Sequence, residues 1–254
     1  MTDVLSKTFI HCQGVGPTTE RRLWQEGADS WQSYLELQHE LKISRLVRER
    51  LTPLVEESIE RLAVRDHSWF ASSVPQSEHW RALPHFRRRI AYLDIETSGG
   101  FRWEDLTVVG VYDGVRLTQY VKGDNLDLVP EALEDKAMIV TFCGTGFDIP
   151  FIRRAFRLKV PQLHIDLCHL LKRLGHRGGL KRIEEQLGIR RAPELRNLSG
   201  MDAVGLWRHY CYGRDEALAV LLAYNAADVM NMELLLEYAY PRLCAATQSA
   251  DPTL

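Results

Sequence analysis

Tyr92-Leu93-Asp94-Ile95-Glu96-Thr97 closes a short apolar run that begins at Ile90. A run of this length, ending in polar residues, predicts a buried strand. Side chains alternate along a strand, so Asp94 and Glu96 share one face while Ile95 turns to the other. Two carboxylates a few ångströms apart disfavour joint ionisation. A divalent cation removes that conflict, and hard oxygen ligands on a rigid strand suit Mg²⁺ or Mn²⁺. Taken alone, an Asp-x-Glu pattern reads more simply as a polar strand end.

Outward from this strand, Leu106 to Tyr112 reads as a second strand. Asp113-Gly114 is a hairpin turn signal, and Val115 to Val121 follows as a third strand. Ala137 to Phe142 gives a fourth and Leu163 to Leu167 a short fifth. Helices are expected over 149–157, 180–187, 200–212 and 214–238. Strands and helices in this order argue for an α/β fold, a mixed five-stranded sheet flanked by helices. Residues 86–245 form the expected catalytic domain. Residues 1–65 carry the periodic apolar set of short packed helices, with no strand-like alternation. Between them, 66–85 contains Ser72-Ser73, Pro75 and Pro84 and reads as a connector.

Two further acidic positions stand out. Asp148 follows the fourth strand in Gly146-Phe147-Asp148-Ile149-Pro150, where it fits the N-cap of the next helix. From there its carboxylate is also close enough in the chain's layout to reach a metal above Asp94. Tyr224 and Asp228 lie four apart on a late helix, hence on one helical face. A neutral phenol there can donate a hydrogen bond to water or phosphate. Each pattern by itself is equally served by an ordinary cap or a half-buried helix position.

Together, Asp-x-Glu after a strand, Phe-Asp after a later strand and Tyr-x-x-x-Asp on a late helix resemble the three exonuclease motifs of the DEDD superfamily, in its tyrosine-bearing branch. The wider set Tyr92–Thr97, Val109–Gly114, Thr141–Gly144, Ile165–Leu167, Gly178–Lys181, Gly188-Ile189 and Leu222–Asn225 is similar to the YprB-like group of RNase H-like proteins. The resemblance spans about 85–240. It implies an RNase H-like fold and two divalent ions, Mg²⁺ or Mn²⁺, held by Asp94, Glu96, Asp148 and Asp228. Tyr224 would orient the attacking water, and nucleotides would leave from a 3′ end of single-stranded DNA or RNA. The family usually shows Asn where Cys143 stands, and cysteine is a weaker hydrogen-bond partner. Asp166 is a neighbour of the site more than a ligand. A non-catalytic nucleic-acid-binding module and a structure-selective endonuclease remain as alternatives on the same fold.

Candidate strand contacts are Thr97 and Phe147 beside the carboxylates, and Arg177 and Lys181 around the loop Gly175–Gly179. That loop precedes an expected helix start, where backbone N–H groups favour phosphate. The segment from Cys12 to Trp24 resembles the hairpin of a helix-hairpin-helix motif, with Gly14 and Gly16 as backbone contacts to a DNA phosphate. Few residues precede Gly14 for a first helix, and Glu20 sits where that motif usually has a small residue.

The composition sets bounds. The 254 residues carry a net charge of −2, with 45% hydrophobic and 26% charged residues, as in a soluble globular protein. Basic residues nevertheless gather at Arg87–Arg89, at Arg153-Arg154 and from Lys172 to Arg182, and local patches can steer a polyanion. The five cysteines form no CxxC pair, which fits a reduced cytoplasmic setting and excludes a zinc-ribbon pattern. No secretory signal is evident at the N-terminus, and no apolar run is expected to cross a membrane.

Overall fold

The computed structural model describes residues 1–248. Its centre is a five-stranded sheet in the order β3-β2-β1-β4-β5. The strands are β1 (Ile90–Thr97), β2 (Leu106–Tyr112), β3 (Leu117–Val121), β4 (Met138–Thr141) and β5 (Leu163–Asp166). β1 pairs antiparallel with β2, and β2 with β3. β4 runs parallel to both β1 and β5. The central strand is therefore the one that carries Asp94 and Glu96. The expected strands all form. The hairpin also forms, with Gly114 in the left-handed region (φ 90°) and Asp113 accepting from the amides of Val115 and Arg116.

The alternation of β1 sorts the two faces. Ala91, Leu93 and Ile95 point into a core with Val109, Val111 and Ile139. That side is covered by α6 (Val129–Glu134) and α7 (Asp148–Ala155), through Val129, Leu133, Phe151 and Ile152. Ile90 and Tyr92 point the other way, with Met138, Val140, Leu163 and Ile165. This second face is covered by α8 (Leu167–Arg173), α9 (Leu180–Gln186) and the long α11 (Asp215–Gln248). α10 (Gly200–Cys211) packs on α11 through Ala203, Trp207, Leu221 and Tyr224.

The N-terminal helices α1 (Pro17–Gln25), α2 (Trp31–Leu37) and α3 (Arg45–Ala63) bury Leu23, Trp31, Tyr34, Leu51 and Val55 in the same continuous core as that second face. Residues 66–85 depart from the connector reading. They fold as α4 (His67–Ser73), a 3₁₀ turn (Gln76–Ala82) and the start of α5 (Leu83–Phe86), with Phe70, Trp80, Leu83 and Phe86 buried. Pro75 and Pro84 sit at helix starts, where a missing N–H costs nothing. The helix-hairpin-helix expectation also needs correction, because no helix precedes Pro17. Glu20 is buried as an anchor. It accepts from Thr8 Oγ1 (2.8 Å), Phe9 N (2.7 Å) and Arg81 Nη1 (3.1 Å).

One expectation about apolar runs is corrected as well. α11 is long and apolar enough to cross a membrane by length and composition. Its apolar residues Val229, Met232, Leu235, Leu236 and Leu243 are spent on the core beneath the sheet. The basic clusters are partly structural too. Arg87 pairs with Glu237 (2.7 Å) and Arg173 with Glu78 (2.8 Å).

Candidate metal centre

Asp94 and Glu96 leave β1 on the face that meets α11, as their spacing requires. α11 brings Asp228 to the same spot. One carboxylate oxygen from each of Asp94, Glu96 and Asp228 lies within 4.8 Å of the others. Around one small divalent ion with bonds of about 2.0–2.1 Å, oxygen ligands lie roughly 3–4 Å apart. The three side chains thus have the spacing and chemistry of a hard-cation site.

Asp148 stands outside that triple while lining the same cleft. It is not the N-cap of α7, which is Phe147. Its Oδ1 instead accepts from the backbone N of Ile95 at 3.2 Å, locking the start of α7 to the middle of the catalytic strand. The cleft has a volume of about 480 Å³, and its walls include Asp94, Glu96, Thr97, Phe147, Asp148, Tyr224 and Asp228.

The electrostatics agree with this donor set. Burial, then the neighbouring Asp228, Glu96 and Asp148, raises the Asp94 carboxyl well above its ordinary range. Burial and the same acidic company raise Glu96. Burial likewise pushes Asp148 up to about 7. Asp228 is raised by burial, with Arg191 acting in the opposite direction. Four carboxylates held close together, three of them buried, need positive charge to ionise together. A divalent cation fits that need, and the oxygen-only donors favour a hard ion over softer metals.

Several groups that sequence patterns missed hold this arrangement. Asn225 donates from Nδ2 to Asp94 Oδ2 (2.8 Å), and its Oδ1 accepts from Gln119 Nε2 (3.0 Å). Gly110 is the partner of Asp94 across β1 and β2. A Cβ there would meet Asn225 Oδ1 at 2.2 Å and Val229 Cγ2 at 2.8 Å, so only glycine lets α11 approach the strand this closely. Arg191, buried in the segment after α9, forms an ion pair with Asp228 Oδ1. The same guanidinium grips both oxygens of the buried Glu184, at 2.5 and 2.7 Å. Asn225 was visible as the polar neighbour of Tyr224 on an apolar helix. Arg191 gave no signal.

Tyr224 lines the cleft with its phenol kept protonated, since burial and Asp228 raise its pKa. Lys181 Nζ sits over the Tyr224 ring, 4.6 Å from its centre. Arg177 is exposed and lines neither this cleft nor the neighbouring pocket, and Gly14 and Gly16 belong to the exposed loop before α1. Asp166 is a structural acid. Its carboxylate accepts from the amides of Cys143 (2.8 Å), Thr145 (3.0 Å) and Cys168 (3.1 Å), fixing the loop that leads to Asp148. Cys143 adopts a left-handed backbone (φ 59°), a conformation Asn tolerates better.

A mixed sheet with two antiparallel and two parallel pairings, and carboxylates converging at the end of its central strand, defines an RNase H-like α/β domain. A family model of the RNase H superfamily matches residues 91–240, and the chain belongs to that superfamily. No curated protein and no solved structure matches the chain.

Proposed function

We propose that this protein is a metal-dependent 3′–5′ exonuclease that hydrolyses phosphodiester bonds of single-stranded nucleic acid or of 3′ ends. The observation that carries this reading is the convergence of Asp94, Glu96 and Asp228 within 4.8 Å, with Asp148 in the same cleft. RNase H-like domains act on nucleic acids, which supports a nucleic-acid substrate for this centre.

In this mechanism Asp94, Glu96 and Asp228 would hold a divalent ion, and Asp148 would help to hold a second. When bound, such ions would activate water and stabilise charge on the attacking and leaving oxygens. Asn225 fixes the orientation of the Asp94 carboxylate. Arg191 holds Oδ1 of Asp228 and so fixes the orientation of that carboxylate. The protonated Tyr224 donates to the attacking water and aligns it with phosphorus. Thr97 and Phe147 line the path of the 3′-terminal nucleotide.

The test is digestion of end-labelled single-stranded DNA and RNA in Mg²⁺ or Mn²⁺, comparing wild type with Asp94→Ala and Asp228→Asn. Stepwise shortening from the 3′ end by the wild type alone is expected. Full cleavage by either variant sinks the assignment. Cleavage of a circular single strand, on which an exonuclease cannot start, converts it to an endonuclease.

A further inference from the structure

A second pocket backs onto the catalytic centre. It has a volume of about 380 Å³ and lies between α9 and the chain that returns from Gly188 to Arg196. Its charged walls are Lys181, Arg190, Arg191 and Arg196 against Glu184 and Glu185. Glu184 is already saturated by Arg191 and by Asn231 Nδ2 at 3.0 Å. Among the described residues this leaves Lys181, Arg190 and Arg196 facing a single acid, Glu185.

Lys181 is the telling group. Its Nζ is buried and makes no hydrogen bond; it lies over the face of Tyr224, with the Asp228 and Glu184 carboxylates near enough to act on its charge. A buried ammonium with all its N–H donors unused is stabilised when an anion reaches it. Arg190 is exposed at the rim and makes no ion pair among the described residues, and Arg196 is exposed beside it, its Nε donating to Arg191 O at 3.1 Å. The floor residue Arg191 touches Asp228, so whatever enters sits one side chain away from the metal ligands.

We propose that this pocket is a phosphate subsite, occupied by a phosphodiester of the bound strand next to the one being cut, and gripped by Lys181, Arg190 and Arg196. The proposal rests on the nucleic-acid reading given above. A polyanionic strand is favoured over a free ion because one layer of side chains separates the pocket from the cleft: Lys181 lies on Tyr224 and Arg191 pairs with Asp228, and both of those partners line the cleft. Phosphates follow one another along a strand at regular intervals, so a strand seated in the cleft has further phosphates to offer to cations beside it.

The experiment is fluorescence anisotropy of a labelled eight-nucleotide oligothymidylate in Ca²⁺, which suits oxygen ligands but tolerates looser geometry than Mg²⁺. Wild type is compared with Arg190→Ala, Arg190→Ala/Arg196→Ala and the charge-preserving Arg190→Lys/Arg196→Lys. Arg190 has no partner to lose, so its variant keeps the fold, and melting temperatures check the pair. The double alanine variant is expected to raise Kd about tenfold. It should also flatten the plot of log K against log salt by about 1.4, two contacts at roughly 0.7 each for a single strand. The lysine pair should restore the slope.

An unchanged slope in the double alanine variant, or no binding by the wild type, overturns the subsite. So does loss of inorganic phosphate binding, read by ³¹P line broadening, with oligonucleotide affinity intact. Cleavage in Mn²⁺ is read separately. A wild type that binds through these arginines yet never cuts keeps the subsite and removes the nuclease.

Discussion

Replacing Asp148 by Asn should stabilise the metal-free protein while destroying its activity. The Asp148 carboxyl, 5% exposed, is pushed by burial from its ordinary 3.8 to about 7. The folded state therefore holds this proton more tightly than the unfolded chain. The stability it contributes is fully present below pH 3.8 and is lost as pH rises through about 7. The interval corresponds to about 4 kcal/mol. Asparagine has no proton to lose, and its amide oxygen can still accept from Ile95 N, as the carboxylate does at 3.2 Å. In EDTA at pH 8, Asp148→Asn should be more stable than wild type by up to about 4 kcal/mol. For a chain of this size that is a rise of about 8 °C or more in Tm. At pH 4 the two should nearly coincide. Excess Mn²⁺ should close most of the gap at pH 8 by stabilising the wild type. Asp148→Ala should gain less, because it leaves a buried N–H without an acceptor at a cost of about 1–3 kcal/mol. Urea denaturation at both pH values, with and without Mn²⁺, measures all of this. An Asn variant no more stable than wild type in EDTA at pH 8 refutes the idea that burying the Asp148 carboxylate strains this site.

Gly110→Ala must push Asn225 and Val229 away and should cost about 1–3 kcal/mol with at least a tenfold loss of Mn²⁺-dependent cleavage. Gly205→Ala, inside α10 with open space around it, should instead stabilise by about 0.5–1 kcal/mol on the same urea curves. Arg191→Met strands the buried Glu184 and should cost about 3–5 kcal/mol. Adding Glu184→Leu should recover most of that loss, and a double-mutant cycle without recovery contradicts the buried ion pair. His164, held at about pKa 4 chiefly by burial and bonded to Gln76 and Thr141, favours the folded state above pH 6.5. That contribution is lost as pH falls from 6.5 through about 4, by a few kcal/mol in all. His164→Gln should flatten the acid limb of the Tm-against-pH profile, and an unchanged limb argues against it.

The sheet was legible because its signals are local. Ile90–Leu93 is apolar without interruption, Asp113-Gly114 forces a turn, and the two-residue period places Asp94 and Glu96 on one side. The four-residue period likewise put Tyr224 and Asp228 on one face of α11. Residues 66–85 were misread because their buried residues Phe70, Trp80 and Leu83 fall on three separate short elements, none long enough to show a repeating period. The prolines that begin those turns look the same as prolines that end structure. In the N-terminal region, Glu20 stands where the helix-hairpin-helix motif has a small residue because it is a core anchor, neutralised by Arg81 sixty-one residues later.

What no local pattern could carry is the balance of charge around the metal ligands. Acidic ligands can be read from strand and helix periods because the backbone that presents them is regular. The cations that make their burial tolerable come from irregular chain. Arg191 follows the left-handed Gly188, beyond the end of α9, where no period constrains which way a side chain points. Its place is set from the far side, by Glu184 seven residues back in α9 and by Asp228 on α11. Charge neutrality inside a fold is a three-dimensional condition. A sequence that shows four carboxylates converging also demands nearby positive charge, and Arg191, paired with Asp228, supplies part of it from within the chain.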